Sequence, residues 1–325
     1  MTLLSMPQSI RSAVTRMDRR EREGLVLILL AVLGYSFFTV WVRGISASGL
    51  PELDMATWRF LFTVPIIWLL ARARGERPSG GVPIPRVALL LTGPLMTVAA
   101  LAAMIGLQTI PASVYLLLFY TYPALVALLS LLRGERIERT AWLALGITLV
   151  GAALTMPNLS EGLQQGANVQ GVVLALVNAV AVAVYFVVQS HLLRGCTDTV
   201  RASAWSLTGT LIPLVVLLPF RPLQLPANLM VWFNLACLIL VSTVLPVVML
   251  NAGIQRLGAP RAAILGTTEL VLALLWAVLI LGDTITPVQV AGGVLIFFSI
   301  ILLQIRQIRS PTPPPLIPGD HTVGL

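Results

Sequence analysis

The chain of 325 residues is 57% hydrophobic and only 10% charged. Soluble domains carry about 25% charged residues, so this composition excludes a soluble protein and indicates an integral membrane protein. The formal net charge of +8 comes from arginines in short loops between apolar stretches. Such basic loops set membrane topology, and we predict no nucleic-acid partner.

Ten apolar stretches follow one another, each long enough to cross a hydrocarbon layer of roughly 30 Å as a helix. They begin near Leu25, Met55, Val87, Ala112, Thr140, Val172, Ala202, Val231, Ala262 and Pro287. A cleaved signal peptide is the alternative for the first stretch, but its length and its match to residues 171–192 favour a retained helix. We therefore predict an all-α integral membrane protein with ten transmembrane helices.

Arginines are concentrated in the amino-terminal tail and in the loops after the second, fourth, sixth, eighth and tenth stretches, whereas the opposite loops hold few. Arginine-rich loops face the cytoplasm, which predicts two cytoplasmic termini in a multi-pass membrane protein. Arg43 and Arg59 are assigned to the outer ends of the first two spans. The middle of the membrane is then expected to hold no basic side chain.

The two halves of the chain repeat each other at a constant spacing. The matched pairs, each 147 positions apart, are Gly24 and Gly171, Trp58 and Trp205, Gly106 and Gly253, and Gln108 and Gln255. From Pro111 onward the spacing is 148, so that Glu269 corresponds to Thr121. Each copy holds five spans, an odd number, so the second copy must be inverted. Two inverted repeats around a central cavity are a recurring architecture of secondary transporters.

The repeat and the arginine distribution divide the chain into five segments. We predict an arginine-rich cytoplasmic tail at 1–24, a first five-span repeat at 25–157, a periplasmic linker at 158–169, a second five-span repeat at 170–304 and a Pro-rich disordered cytoplasmic tail at 305–325.

Glu269 is the only carboxylate near the middle of a predicted span, about eight residues into a ninth helix expected over 261–281. A charge at the centre of a membrane helix costs on the order of 3 kcal/mol by insertion scales. The side chain must therefore be neutral, paired or facing water. It either acts in function, as a substrate contact or a proton carrier, or ties the ninth helix to a neighbour by a hydrogen bond.

Other polar side chains within the spans are few, and aromatic side chains recur at helical spacing. Tyr115, Phe119 and Tyr122 share one face of the fourth helix, where they either line an apolar pocket or pack against other helices. The candidate substrate-binding residues are Tyr35, Phe38, Gln108, Tyr115, Phe119, Tyr122, Asn178, Tyr185, Asn251, Thr267, Thr268 and Glu269.

The histidines and cysteines give no basis for catalysis or metal binding. His191 and His321 lie outside the spans, so a buried histidine base is missing, and Cys196 and Cys237 do not have metal-ligand spacing. We predict no enzymatic activity, no metal and no cofactor.

Motifs near the end of each half point to a family. The first half contains Tyr122-Pro123-Ala124 and then Gly134-Glu135, and the second contains Thr267-Thr268-Glu269 and then Gly282-Asp283. With Trp58-Arg59-Phe60 at the second span, this order of motifs resembles the EamA-type repeat of the drug/metabolite transporter (DMT) superfamily over residues 25–305. Many second copies in that family carry Glu-Pro and Gly-Glu where this chain has Glu269-Leu270 and Gly282-Asp283.

The resemblance implies two inverted five-helix repeats whose spans one, three, four, six, eight and nine line a central cavity, with spans five and ten outside. It also implies movement of a small solute without a bound cofactor. We expect an exporter of neutral or zwitterionic metabolites such as amino acids, working by alternating access as a monomer or homodimer among membrane lipids. The alternatives are a lipid flippase or scramblase and a non-transporting receptor or scaffold.

Overall fold

The computed structural model describes residues 19–75, 83–110, 112–135, 137, 139–155, 168–281 and 286–307. Most of the predicted tails and of the predicted linker lies outside these ranges, so the predictions for 1–18, 156–167 and 308–325 remain predictions.

Helices account for the regular structure of the described ranges. The first half contains α1 (Arg19–Ser36), α2 (Phe38–Ser46), α3 (Glu52–Ala73), α4 (Arg86–Thr109), α5 (Ala112–Phe119), α6 (Tyr122–Leu132) and α7 (Arg139–Thr155). The second half contains α8 (Val169–Leu192), α9 (Thr199–Leu217), α10 (Leu229–Ile239), α11 (Leu245–Leu257), α12 (Ala259–Gly266), α13 (Thr268–Leu281) and α14 (Pro287–Gln307).

Consecutive helices join into ten rods, numbered here as spans 1 to 10. Four spans consist of two helices each: α1 and α2 form span 1, α5 and α6 span 4, α10 and α11 span 8, and α12 and α13 span 9. In the described chain, eight rods are long and apolar enough to cross a membrane, and two shorter apolar helices, Arg139–Thr155 and Pro287–Ser299, complete the set. The prediction of an all-helical membrane protein with ten spans is confirmed.

The predicted ninth helix was wrong in one respect, because it is interrupted at Thr267. Span 4 is interrupted at Tyr120 and Thr121, close to Phe119, the residue that the repeat matches to Thr267. At both interruptions a threonine hydroxyl donates to a carbonyl three residues earlier, from Thr121 to Leu118 (2.6 Å) and from Thr267 to Ile264 (2.6 Å). The backbone N–H of each threonine bonds the same carbonyl (3.2 Å at both sites), so the hydroxyl groups find local partners within an apolar environment.

The two repeats pack about a pseudo-twofold axis. Span 1 packs against span 8 and span 3 against span 6, and the repeat converts one of these pairs into the other. Spans 2 and 7, 4 and 9, and 5 and 10 each pack against their own repeat counterparts. This pairing is the arrangement expected of two inverted copies.

The glycines that revealed the repeat lie at matched helix crossings. A Cβ atom on Gly24 would lie 2.9 Å from Leu257 of span 8, and one on Gly253 would meet Ile28 of span 1. At the matched crossing of spans 3 and 6, a Cβ atom on Gly171 would collide with Thr109, and one on Gly106 would lie 3.3 Å from Leu174 of span 6 besides meeting Tyr115 of span 4. The constant spacing of 147 therefore reflects two equivalent close approaches, for which small residues are required.

Candidate functional site

A cavity of about 260 Å³ lies between the two repeats. Its walls come from spans 1, 2, 3 and 4 of the first repeat and from spans 6, 7, 8 and 9 of the second, while spans 5 and 10 lie outside. Spans 2 and 7 were not among the lining spans that the resemblance implied. The volume is below the roughly 300–1,000 Å³ of drug-sized pockets, which fits a small metabolite.

Five of the predicted site residues meet in the wall of this cavity. They are Tyr35, Phe119, Tyr122, Tyr185 and Glu269. Phe119 and Tyr122 of span 4 stack with ring centroids 5.4 Å apart, and Tyr122 lies 5.7 Å from Phe186 of span 6. Aromatic rings from both repeats therefore form one continuous apolar surface, suited to an aromatic or aliphatic group.

Glu269 lies in the first turn of α13 and contributes its carboxyl group to the cavity wall. Within the described residues, this carboxyl group has no hydrogen-bond donor and no ion-pair partner. Tyr35, Tyr120 and Tyr122 lie within electrostatic range of it. The side chain thus faces the cavity, and its role in transport remains a prediction.

Arg59 also lines the cavity, so its assignment to the outer end of span 2 was wrong. The expectation that the middle of the membrane holds no basic side chain did not allow for an arginine inside a span. Span 2 begins at Glu52, three residues before the predicted start, and Arg59 is two turns into it on the face turned to the cavity. The guanidinium group lies against two aromatic rings, 5.0 Å from the centroid of Phe38 and 5.1 Å from that of Phe60.

An irregular segment of span 8 holds Arg59 in place. Leu240–Val244 forms a π-helical turn, and Pro246 has no N–H with which to bond the carbonyl of Ser242 four residues earlier. Arg59 donates from Nε to Thr243 Oγ1 (2.6 Å) and from Nη2 to the Ser242 carbonyl (3.4 Å). The proline and the π-helical turn therefore supply the acceptors that position the guanidinium group.

The remaining predicted site residues lie beside the cavity or away from it. Tyr115 and Asn178 are buried and hydrogen-bond each other (2.9 Å). The hydroxyls of Thr267 and Thr268 bond backbone carbonyls of α12. Asn251 touches the site indirectly, since Tyr185 Oη donates to its Oδ1 (3.3 Å).

Two further predicted residues complete the set. Phe38 contacts the site through the guanidinium group of Arg59, and the side chain of Gln108 lies outside the described part of the structure.

The sequence contained an indication that Arg59 lies inside a span, which the distribution of arginines among the loops did not reveal. The match of Trp58 to Trp205 extends by one residue to Arg59 and Ser206, 147 positions apart. Both members of this second pair line the cavity. An arginine at a repeated position inside a span, where its counterpart is an uncharged serine, would have indicated a functional group.

Comparison with known proteins agrees with this architecture. The EamA-like transporter family matches the chain twice, over residues 22–156 and 169–305. The chain belongs to the EamA-like transporter family. It is thus a transporter of the DMT superfamily, as the motifs predicted.

The relatives of this EamA-family transporter cover most of its length. An uncharacterized transporter of Synechocystis, sll1319, is 28% identical and spans 89% of this chain and 95% of its own. YcbK of Bacillus subtilis, also named an uncharacterized transporter, is 24% identical over 90% of this chain and 96% of its own. A solved crystal structure shares the fold with a TM-score of 0.74 and 18% identity, covering 88% of this chain and 99% of that one.

Ion pairs join the two repeats of this EamA-family transporter at both ends of the cavity. At the predicted outer end, Asp54 of span 2 pairs with Arg221 in the connection between spans 7 and 8 (3.1 Å). At the predicted cytoplasmic end, Glu21 pairs with Arg261 (3.1 Å). Glu135 there lies 3.5 Å from Arg194. Each of these contacts must break or rearrange if the repeats move relative to each other.

Proposed function

We propose that this transporter exports a small neutral or zwitterionic metabolite, with an amino acid as the leading candidate, across a bacterial inner membrane by alternating access. The observation that carries the proposal is the cavity itself, whose walls come equally from both inverted repeats. In carriers of this design, one repeat rocks against the other around a fixed central site.

The composition of the cavity supports a small organic solute. Tyrosine and phenylalanine side chains dominate the walls, and one basic and one acidic side chain, Arg59 and Glu269, are among its lining residues. A phosphorylated sugar carries two negative charges, for which one arginine faced by a carboxylate is a poor match. An amino acid with an aromatic or aliphatic side chain matches both the walls and the charges.

Ion pairs between the repeats at the two ends support alternating access. Such contacts bridge the repeats at the two ends, which a carrier of this type opens in turn. The pair of Glu21 with Arg261 is partly exposed and contributes about 0–1 kcal/mol, whereas Asp54 in the pair with Arg221 is buried. Substrate binding can therefore exchange contacts at one end for contacts at the other.

The direct test is counterflow in proteoliposomes. Vesicles containing the purified protein are loaded with one unlabelled solute and diluted into a trace of the same solute in labelled form, across amino acids, purines, amines and sugars. We expect protein-dependent, transient accumulation of labelled amino acids. Scrambling of a fluorescent lipid without any solute exchange would overturn the proposal in favour of a lipid transporter.

A glycine in the wall supplies a variant for this assay. A Cβ atom on Gly266 would lie 2.8 Å from the hydroxyl of Tyr122, so Gly266→Val fills part of the cavity and should abolish most exchange. The matched control is Gly146→Val on span 5, where a Cβ atom meets nothing within 4 Å. Equal exchange by the two variants would show that the solute does not pass through this cavity.

Glu269 is the candidate for coupling export to proton entry. A carboxylate that binds either a proton or the substrate would exchange one for the other across the membrane. In Glu269→Gln we expect exchange to persist at saturating substrate, while a pH gradient no longer drives accumulation. Unaltered pH-driven accumulation by this variant would exclude Glu269 as the proton carrier.

A further inference from the structure

The cavity wall holds a guanidinium group and a carboxyl group that do not pair with each other. Among the described residues, Arg59 has no carboxylate partner and Glu269 has no basic partner. Tyr35 lines the same cavity and lies within electrostatic range of both. An unpaired charge in a membrane-embedded cavity is costly, and here two of opposite sign lie in the same small volume.

The unused hydrogen-bonding capacity of each group faces the same space. A guanidinium group has five N–H donors in a planar fork, and two of its nitrogens bond Thr243 and Ser242. No other hydrogen bond of Arg59 occurs in the described chain, which leaves donors for a ligand. The Glu269 carboxylate is an acceptor without a donor.

Resting on the proposed function, we propose that Arg59 binds the carboxylate of a zwitterionic substrate and Glu269 binds its ammonium group, with the side chain against the aromatic wall. Guanidinium and carboxylate groups form two parallel hydrogen bonds with specific geometry. A substrate carrying both charges neutralises both buried groups at once. A substrate carrying one charge leaves the other group unpaired.

The placement of Arg59 favours binding a ligand over forming an internal ion pair. Its Nε atom is held by a 2.6 Å hydrogen bond to Thr243, and its flat faces lie against Phe38 and Phe60. These contacts fix the guanidinium group near span 8. A rigidly held cation discriminates by geometry as well as charge.

The test compares analogues that lack one charge. Thermal stabilisation of the purified protein is measured with L-phenylalanine, with L-phenylalaninamide, which lacks the carboxylate, and with 3-phenylpropionate, which lacks the ammonium group; L-leucine and its analogues form a second series. Stabilisation by a ligand reports its affinity for the folded state. For wild type we expect each single-charge analogue to bind roughly ten- to a hundredfold more weakly than its parent amino acid.

Two variants assign the two charges. In Arg59→Gln, the amino acid should lose affinity and bind no better than its amide. In Glu269→Gln, it should bind no better than the propionate. Arg59→Lys should keep partial preference for the carboxylate, because it retains the charge without the fork. The controls are Arg72→Gln and Glu52→Gln, exposed charges on the same helix as Arg59 and outside the cavity wall, which should retain wild-type discrimination.

The outcomes separate this inference from the proposed function. Counterflow of a solute with one charge or none, together with equal affinity for an amino acid and its amide, overturns the assignment while leaving a transporter in place. Discrimination that both cavity variants retain also overturns it. If a variant unfolds, its unliganded melting temperature shows this, and the analogue series on the wild-type protein still decides whether both charges are recognised.

Discussion

Spans 3 and 7 pack backbone to backbone, whereas the spans that the repeat matches to them, 8 and 2, are held apart. Gly93 and Gly209 touch at the first junction, and Thr92, Ser206 and Gln189 hydrogen-bond beside them. The matched positions in the second junction are Leu240 and Phe62, which line a lateral groove of about 190 Å³. One junction is sealed by small and polar residues, and the other is open enough to hold a cation.

The same comparison explains how a duplicated scaffold acquires an asymmetric site. Arg59 and Ser206 occupy matched positions, as do Met96 and Thr243, and all four line the cavity. The first repeat supplies Arg59, and the second repeat supplies the Thr243 hydroxyl group that binds it. Glu269 corresponds to Thr121, so the anion comes from the second repeat. The backbone pattern is shared, and the charges are divided between the copies.

The largest expected effect comes from disturbing the sealed junction. A Cβ atom on Gly209 would collide with the carbonyl of Leu90 and the backbone of Gly93. We expect Gly209→Ala to destabilise the protein by about 3 kcal/mol, the upper end of typical overpacking, and to lower its melting temperature and folded yield. The same substitution at Gly146, where the space is open, should be neutral or slightly stabilising. Equal melting temperatures would contradict the close approach of spans 3 and 7.

At the open junction, Thr243→Val removes the acceptor that positions Arg59. Because a hydrogen bond to a charged group contributes about 1.5–3 kcal/mol, we expect amino-acid affinity to fall roughly tenfold in the thermal-stabilisation assay. Thr243→Ser keeps the hydroxyl group and should restore binding. Substituting its repeat counterpart, Met96→Leu, should change affinity little. A larger loss of affinity in Met96→Leu than in Thr243→Val would contradict the role of Thr243 in positioning Arg59.

A smaller effect is expected at the outer end of the open junction. Asp54 is 2% exposed and accepts from the Gln224 amide (3.3 Å) besides pairing with Arg221. Asp54→Asn should cost about 1.5 kcal/mol of stability, since buried charge-assisted bonds exceed exposed ones. Glu21→Gln, which affects a partly exposed pair with Arg261, should cost under about 1 kcal/mol. The melting temperatures of the two variants measure the difference in stability. A lower melting temperature for Glu21→Gln than for Asp54→Asn would contradict this prediction.

The smallest effect is expected from removing the carboxyl-terminal tail. Residues 311–325 are Pro-rich in sequence and follow the last span, so their deletion should leave counterflow rates unchanged. A receptor or scaffold that acts through its tails would instead lose its activity. If the deletion abolished transport, the tail would have to take part in the transport cycle.

The helices and the repeat could be predicted because both depend on residue types at fixed spacings in the sequence. Apolar length places a span in the membrane, and Gly24 and Gly171 repeat because two equivalent crossings each need a small residue. The interruption at Thr267 has no such signal, since one turn residue with helical backbone angles looks like any other helix residue. The hydrogen bond from the Thr267 hydroxyl to the Ile264 carbonyl becomes visible only in the structure.

The site was predicted only in part for a related reason. Tyr35 and Glu269 are unusual within apolar spans, and both line the cavity. Asn178 is equally unusual, yet its amide is used by Tyr115 in a helix contact. Arg59 was overlooked because arginines near span ends serve topology in most cases, and only the partner on span 8 shows that this one is held inside. Polar residue type alone does not say whether its partner is protein or solute.

Alternating access requires that one cavity between the repeats is reached from both sides in turn. The decisive measurement replaces Val182, a cavity residue matched to Tyr35, with cysteine after Cys196 and Cys237 are replaced by serine. Impermeant thiol reagents are then applied to either side of oriented proteoliposomes, with Leu143→Cys on the exposed face of span 5 as control. We predict labelling at position 182 from both sides, slowed by an amino acid that the protein exchanges, and no such protection at 143. Labelling at 182 from one side only, under all substrate conditions, would contradict alternating access.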